Sequence, residues 1–552
     1  MNKILLIGIN ARYTHSNLAI RYLRNYVNDL SYQIDLEEFN INQSLLDIIS
    51  KIHNQQPETI AFSVYIWNSE IIRKLLPEIH KLLPACKIIL GGPEVSYNPQ
   101  QWLKDFPFLD FIICGAGEAG FRYLLDKKLS VKERIIKIQN PVFNEIQFPY
   151  TDDDFPELED KYIYYEASRG CPFKCSYCLS SRSDQKLELR ELKKVKRELD
   201  YLLGKKLQII KFVDRTFNIN REFARNIWQY LIEINPDTKF HFEIYPALLE
   251  EEDFVLLEKC PVDLFQFEIG IQSTNPTTLK AIHRPDDWNK TKEKIQKLIS
   301  MENIHIHVDM IAGLPYDEFN DIKHSFNEIY ALQADHFQLG LLKILPGTEI
   351  AEKIKEYGIE CLSYTPYQVL KTKWLSFTEL NKLQQVESLL NTFYNSGNFK
   401  VTIENLITEF NSPFEMFSSL AEYLNKIGKD FRIRNWQKSA IILLEFIRQN
   451  LSEKLEFYRD CLRWDWCYLA NAHQYPAFLN SRKLAQAKRM GFEFLKQRSQ
   501  QDSIYFREFN FTFNDLKKAI FFQPSSTEFK NKFMPDAEIC VFIQFQNYKE
   551  CI

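Results

Sequence analysis

Twice along this chain, apolar runs of strand length alternate with stretches whose apolar residues recur at helical spacing. That double alternation constrains the fold more than any other feature. In the first series the runs are KILLIGI (3–9), YQIDLEEF (32–39), TIAFSVYIW (59–67), KIILGG (87–92) and FLDFIICG (108–115). Amphipathic stretches such as NLAIRYLRNYV and SEIIRKLLPEIHKLL lie between them. Strands joined by crossovers of this length run parallel, so the pattern predicts a doubly wound sheet over residues 1–128. Ligands of such sheets sit beyond the strand carboxyl ends. Here those ends carry polar and glycine residues: NARYTHS, SVYIWNS, GGPEVS and GAGEAG.

Residues 129–160 lose the rhythm, and the acidic, proline-bearing FPYTDDDFPELED reads as a linker. A second series fills 161–364: YIYYEAS, QIIKFVDRTF, KFHFEIYP, LFQFEIGIQS, IHIHVDMIAG and HFQLGLLKI, with helical runs between. Six βα repeats without a change of pattern predict a partial (β/α)6 barrel with its site at the strand carboxyl ends. From 365 to 552 the period is mainly helical, with a closing strand-like AEICVFIQF. Trp464, Asp465 and Trp466 in that segment are expected to serve packing. The fold class is therefore α/β with a mainly helical C-terminal domain.

A net charge of −4 lacks the basic excess of a non-specific nucleic-acid binder. No run reaches membrane length and the start shows no cleavable leader, so a cytoplasmic location with no membrane partner is expected. In that compartment most of the eleven cysteines should be buried free thiols: Cys86, Cys114, Cys260, Cys361, Cys461, Cys467, Cys540 and Cys551. Cys171, Cys175 and Cys178 stand apart in RGCPFKCSYC, at the end of the first strand of the second series. Three thiols spaced C-x3-C-x2-C can hold three irons of a [4Fe–4S] cluster and leave the fourth open to a small chelator. A zinc site would want a fourth ligand and usually pairs its cysteines.

This loop, at the top of a six-strand βα series, resembles that of the radical S-adenosylmethionine (SAM) superfamily. The resemblance implies that SAM chelates the open iron and is cleaved reductively to a 5′-deoxyadenosyl radical. Tyr177 matches the aromatic residue that stacks near the adenine. Strand ends supply further expected SAM contacts: Asp214 in VDRTFN, Glu243 in HFEIYP, Glu268 and Gln272 in FEIGIQS, and Asp309 in HVDMIAGLP. Carboxylates there suit ribose hydroxyls. No plain GGE motif follows the second strand.

The flavodoxin- or Rossmann-like first domain, placed before such a core, looks like the cobalamin-binding domain of the cobalamin-dependent radical SAM enzymes, and the C-terminal segment like their companion domain of unknown function. The resemblance implies cobalamin near Ser63, Gly91, Gly92, Glu94, Gly115, Gly117 and Glu118. The subgroup's D-x-H-x-x-G fingerprint is incomplete here: His15 is present, but the aspartate and glycine are not. His15 is thus a candidate axial ligand without its usual second-shell carboxylate. The implied activity is methylation, or another rearrangement, of an unreactive carbon of a small-molecule substrate, with an electron donor such as flavodoxin or ferredoxin. No catalytic residue is assigned. The alternatives are a methylthiotransferase-like enzyme, a cobalamin-free radical enzyme, and a non-catalytic cobalamin or SAM sensor.

Overall fold

A computed structural model describes residues 3–139, 141–181, 186–284, 286–433, 435–469, 474–480, 484–501, 519–543 and 548–551. One compact unit comprises Met1–Asp335 with Leu339–Leu380, and a second comprises Asn381–Ile552 with His336–Gln338.

The first unit opens with a parallel sheet of β1 (Lys3–Asn10), β2 (Gln33–Asn40), β3 (Thr59–Ser63), β4 (Lys87–Gly91), β5 (Phe111–Ile113) and β6 (Ile135–Ile136), in the order β2-β1-β3-β4-β5-β6. Alternation along β1 explains the two layers. Leu5, Ile7 and Ile9 pack with Ile48, Ile52, Ile72 and Leu76 from two helices on one face. Ile4 and Leu6 pack with Ile20 and Phe121 from two others on the opposite face. A strand buried on both sides must read as an unbroken apolar run, as KILLIGI does. The sheet has one strand more than expected. β6 lies inside the stretch read as a linker, and its two paired residues are too short to leave a periodic signal.

A second parallel sheet follows, opened by β7 (Ile163–Tyr165). A two-residue antiparallel pair, β8 (Ser168–Arg169) with β9 (Glu188–Leu189), frames the cysteine loop. Then come β10 (Ile209–Phe212), β11 (Lys239–Ile244), β12 (Phe265–Gln272), β13 (His305–Ala312) and β14 (His336–Leu341). The order β14-β13-β12-β11-β10-β7 leaves the barrel open between β7 and β14. Its outward face is aromatic: Phe212, Phe240, Phe242, Phe265 and Phe267 are buried with Trp228 from helix Arg221–Ile234. Each such ring contributes about 1.5–3 kcal/mol on burial. The alternate, inward positions are polar: Tyr164, Lys211, His241, Glu243, Glu268, His307 and Asp309.

The first domain lies across the open seam. The loop after β1 extends the sheet at β7, where Tyr162 N–H donates to Thr14 O at 2.7 Å and Ser16 Oγ to Tyr162 O at 2.6 Å. Near β14, Glu94 accepts a hydrogen bond from Tyr367 Oη.

The second unit holds helices Lys400–Ile407, Pro413–Lys426, Trp436–Asn450 and Leu455–Cys467, and a three-stranded antiparallel sheet of β15 (Ile520–Phe522), β16 (Cys540–Ile543) and β17 (Tyr548–Cys551). The last residues of AEICVFIQF fall outside the described ones. Trp464 is buried against Phe522, Phe529 and Phe542. Asp465 caps helix Lys400–Ile407, accepting from the Val401 and Thr402 amides at 2.9 and 3.0 Å. Cys86, Cys114, Cys260, Cys461 and Cys467 are buried free thiols, and Cys361 is half-buried. Cys540 departs from that expectation. It is disulfide-bonded, on a strand whose register brings Cys551 opposite it.

Candidate active site

The cysteine loop leaves β8 and is pinned at its base. Asp214, just beyond β10, is buried and accepts hydrogen bonds from the Ala167 amide at 3.1 Å and from the Ser168 hydroxyl. Both carboxylate oxygens are therefore committed to the strand that launches the loop. Burial pushes this carboxyl up to about 7, against the lowering effect of those bonds. Asp214, expected at SAM, thus braces the base of the loop.

Within the loop Cys175 is buried, while Cys171 and Cys178 are half-buried. Cys171 Sγ lies 3.8 Å from Thr216 Oγ1. The other two cysteines lie close enough to Cys175 to act on its thiol. Burial raises the Cys175 thiol, and the other two cysteines raise it further. Arg284 opposes this. It interacts with the Cys175 thiol and the Tyr177 phenol, donates to Gly270 O at 2.5 Å, pairs with Asp286 at 3.2 Å, and stacks 4.8 Å over Tyr245. A cation beside thiols that must ionise to bind iron suits a cluster loop.

Gln272 ends β12 at a register shift, with φ +72°. Left-handed backbone in a residue with a long side chain is costly and concentrates at functional positions. Its amide folds back over Gly270, and its buried Oε1 has no hydrogen-bond partner. Gln272, Arg284, Tyr177 and Cys175 thus gather at one place. Arg284 was missed in the sequence because it follows the short helix Pro276–Ala281, outside any strand end.

Glu268 and Asp309 lie deeper. Glu268 accepts from His241 Nε2 at 2.9 Å, and Asp309 Oδ1 lies 3.1 Å from His307 Nε2. Glu243 is the register partner of Glu268. Burial, with Glu268 and Asp309 nearby, raises Glu243 to about 7 despite Arg215. Glu268 and Gln272 flank Gly270 on β12, Glu268 paired with His241 and Gln272 folded back over the glycine.

In the first domain, several expected cofactor residues are occupied by other partners. Glu118 accepts from Arg169 at 2.7 Å, and Arg169 also pairs with Glu166 at 2.9 Å and stacks on Phe143 and Tyr22. Arg169 stands two residues before Cys171, so this bridge ties GAGEAG to the cysteine loop. Glu94 is held by Tyr367, as described. Ser63 Oγ accepts from Asn17 at 3.0 Å. His15 Nδ1 lies 2.7 Å from Tyr164 Oη, with its ring edge-on to Tyr162. Burial and the nearby Lys211 lower its basicity. Glu94, Glu118 and His15, the residues expected at the cofactor, here meet Tyr367, Arg169 and Tyr164 of the barrel side.

The glycines differ among themselves. Gly92, φ +106°, packs on the backbone after β3, where a Cβ would stand 2.5 Å from Val64 O. Gly115, φ +86°, has open space where its Cβ would be, as close approach of a ligand to backbone requires. Gly117 starts helix Gly117–Asp126 against Leu23, and Gly91 ends β4 in ordinary contact. Beyond β3, Tyr65 and Trp67 stack with centroids 4.4 Å apart, and Trp67 is exposed. This aromatic pair at a strand carboxyl end was not singled out in the sequence.

Three family models match the chain: B12 binding domain over residues 4–125, Radical SAM superfamily over 165–329, and a protein of unknown function (DUF4080) over 355–541. Among curated proteins, the chain is similar to the cobalamin-dependent radical SAM methyltransferase TokK of Streptomyces tokunonensis, at 22% identity over 66% of this chain and 59% of that protein. The chain therefore spans less than two thirds of that relative's length. Among solved structures, OxsB, a cobalamin-dependent SAM radical enzyme with aqua-cobalamin bound, aligns over 84% of this chain and 79% of its own, at 16% identity and a TM-score of 0.59. TsrM, a radical SAM methyltransferase from Kitasatospora setae, covers 64% and 78% at 17% identity and a TM-score of 0.55. At these identities the likeness concerns the fold.

Proposed function

We propose that this chain, a member of the radical SAM superfamily that carries an N-terminal B12-binding domain and a C-terminal DUF4080 domain, is a cobalamin-dependent methyltransferase acting on a small molecule. The observation that carries this reading is the convergence of Cys175, Tyr177, Gln272 and Arg284, in a barrel whose seam is closed by the B12-binding domain.

Cys171, Cys175 and Cys178 would hold a [4Fe–4S] cluster, and the donor set fits it: three thiols in one short loop, with Arg284 beside Cys175 offsetting their charge. When bound, the cluster supplies the electron that cleaves SAM, and the cobalamin carries the methyl group. Arg284 would take the SAM carboxylate, Gln272 Oε1 would accept from a SAM N–H or hydroxyl, and Tyr177 would flank the adenine. Asp214 fixes the loop base. Arg169, held by Glu118 and Glu166, sets the loop against the B12-binding domain. For cobalamin, the open backbone at Gly115 and the exposed Trp67 fit a large planar ligand. The tie of His15 to Tyr164 fits a base-off corrin without histidine ligation.

The methylthiotransferase alternative needs a second cysteine-bound cluster in the first domain. Cys86 and Cys114 are instead packed in its apolar core, and burial raises both thiols. Among the described residues no helix is long and apolar enough to cross a membrane. A cytoplasmic setting and a flavodoxin or ferredoxin as electron donor complete the proposal.

Anaerobic reconstitution with iron, sulfide and hydroxocobalamin tests it. About four irons and one base-off cobalamin per chain, with S-adenosylhomocysteine and 5′-deoxyadenosine formed from SAM, are expected. A cluster without retained cobalamin would reject the methyltransferase reading and leave a cobalamin-free radical enzyme.

A further inference from the structure

The barrel interior holds a second constellation, away from the cysteines. Glu268 on β12 and His307 on β13 are direct register partners. Asp309 lies two residues further along the same inward face, opposite Gly270, which places no side chain in the way. One ligand atom from each of the three lies within 4.8 Å of the others, the only such group of three among the described residues. Asp309 Oδ1 is buried and lies 3.1 Å from His307 Nε2. On the far side of Glu268, His241 Nε2 holds its Oε2 at 2.9 Å.

We propose that Glu268, His307 and Asp309 form a divalent-cation site inside the barrel, separate from the iron–sulfur loop. The chemistry of the donors argues for it. Two carboxylates and one neutral imidazole carry a charge of −2, which a divalent ion balances. Without an ion, Glu268 and Asp309 must share a proton to hydrogen-bond one another, a place that a divalent ion can take. A set of one nitrogen and two oxygens suits Mn2+, Fe2+ or Zn2+ better than Ca2+. His241 stands where an outer-shell partner would, orienting a ligand carboxylate from behind. Three protein ligands leave positions open, so the ion presents them to an oxygen of whatever occupies the barrel. The substrate class that follows is one bearing a carboxylate, hydroxyl or carbonyl close to the reacting carbon.

The test uses the full chain with Cys171, Cys175 and Cys178 all changed to Ala, so that cluster iron does not contribute. Mn2+ is titrated anaerobically and the free ion is followed by EPR, with Zn2+ competition as a second probe. About one Mn2+ per chain is expected, displaced by Zn2+. His307→Ala and Asp309→Asn should each abolish stoichiometric binding. His241→Ala should keep the stoichiometry and weaken affinity ~10–100-fold, as loss of an outer-shell partner does. Thermal melting identifies any variant that fails to fold, and His307→Gln then replaces His307→Ala. Absence of Mn2+ and Zn2+ binding in the triple-alanine protein would overturn the proposal, as would binding unchanged by His307 and Asp309 substitutions. Because that protein carries no cluster, the result is independent of the radical-chemistry reading.

Discussion

Arg169 is the residue whose removal should reveal how the two sheets are coupled. Its guanidinium lies 2.7 Å from Glu118 of the first domain and 2.9 Å from Glu166 at the end of β7. The side chain is 22% exposed and that of Glu118 only 5%. Hydrogen bonds to charged groups contribute about 1.5–3 kcal/mol each. Breaking a fully buried pair costs about 3–5 kcal/mol, because the stranded charge stays desolvated. Partial exposure of Arg169 places this pair toward the lower values, so a coupling energy of about 2 kcal/mol is expected. The assay is hydrogen exchange, followed by mass spectrometry, of peptides spanning the cysteine loop, where the Ser176 amide donates to Ile282 O. Arg169→Met should accelerate exchange of loop amides by roughly 30-fold or more, the equivalent of 2 kcal/mol at 1.4 kcal/mol per decade. Glu118→Gln should act in the same direction. The double variant should be slower to exchange than the two effects multiplied, by roughly 30-fold. Arg169→Lys keeps the charge but not the two-pronged fork, and should recover less than half of the loss in logarithmic terms. A coupling below about 0.5 kcal/mol would refute the bridge and leave Arg169 as a surface cation that happens to lie near two carboxylates.

Asp214 gives a pH dependence of definite sign. Its folded carboxyl is raised to about 7. Stability from this group is therefore fully present below about pH 4 and is lost as pH rises through 7, by up to about 4 kcal/mol. Asp214→Asn should flatten that slope, so melts at pH 5 and 8 should differ less in the variant than in the parent; parallel slopes would exclude the assignment. Arg284→Gln should leave about four irons per reconstituted chain yet weaken SAM binding at least ~10-fold through the lost charged contact, read from the SAM-induced change in the cluster's EPR spectrum. Unchanged SAM affinity would remove Arg284 from the site. His15→Ala should retain base-off cobalamin with an unaltered cobalt(II) EPR spectrum, and loss of nitrogen superhyperfine structure on substitution would restore His15 as an axial ligand.

Both βα series, their strand directions and the position of the cysteine loop were legible from the chain itself. Those features rest on periods of two and 3.6 residues and on three cysteines within eight positions, all of them local. A doubly buried strand such as β1 can only be apolar throughout, and the inward polar positions of β11 to β13 can only alternate with phenylalanines and other apolar residues. What stayed hidden was long-range. Glu118 meets Arg169 across 51 residues and Glu94 meets Tyr367 across 273, and nothing in GAGEAG or GGPEVS distinguishes a glutamate facing a corrin from one facing a barrel. Gln272 takes its φ of +72° from a register shift against β13, which no spacing within FEIGIQS records. Arg284 reached Cys175, and His307 reached Glu268, only when the strands packed side by side and brought separate segments together. The sequence by itself determined which elements form and where ionisable chemistry begins, because propensity and burial act residue by residue. The tertiary structure alone decided which carboxylate pairs with which cation, because a charge in a low-dielectric interior takes the partner that packing delivers.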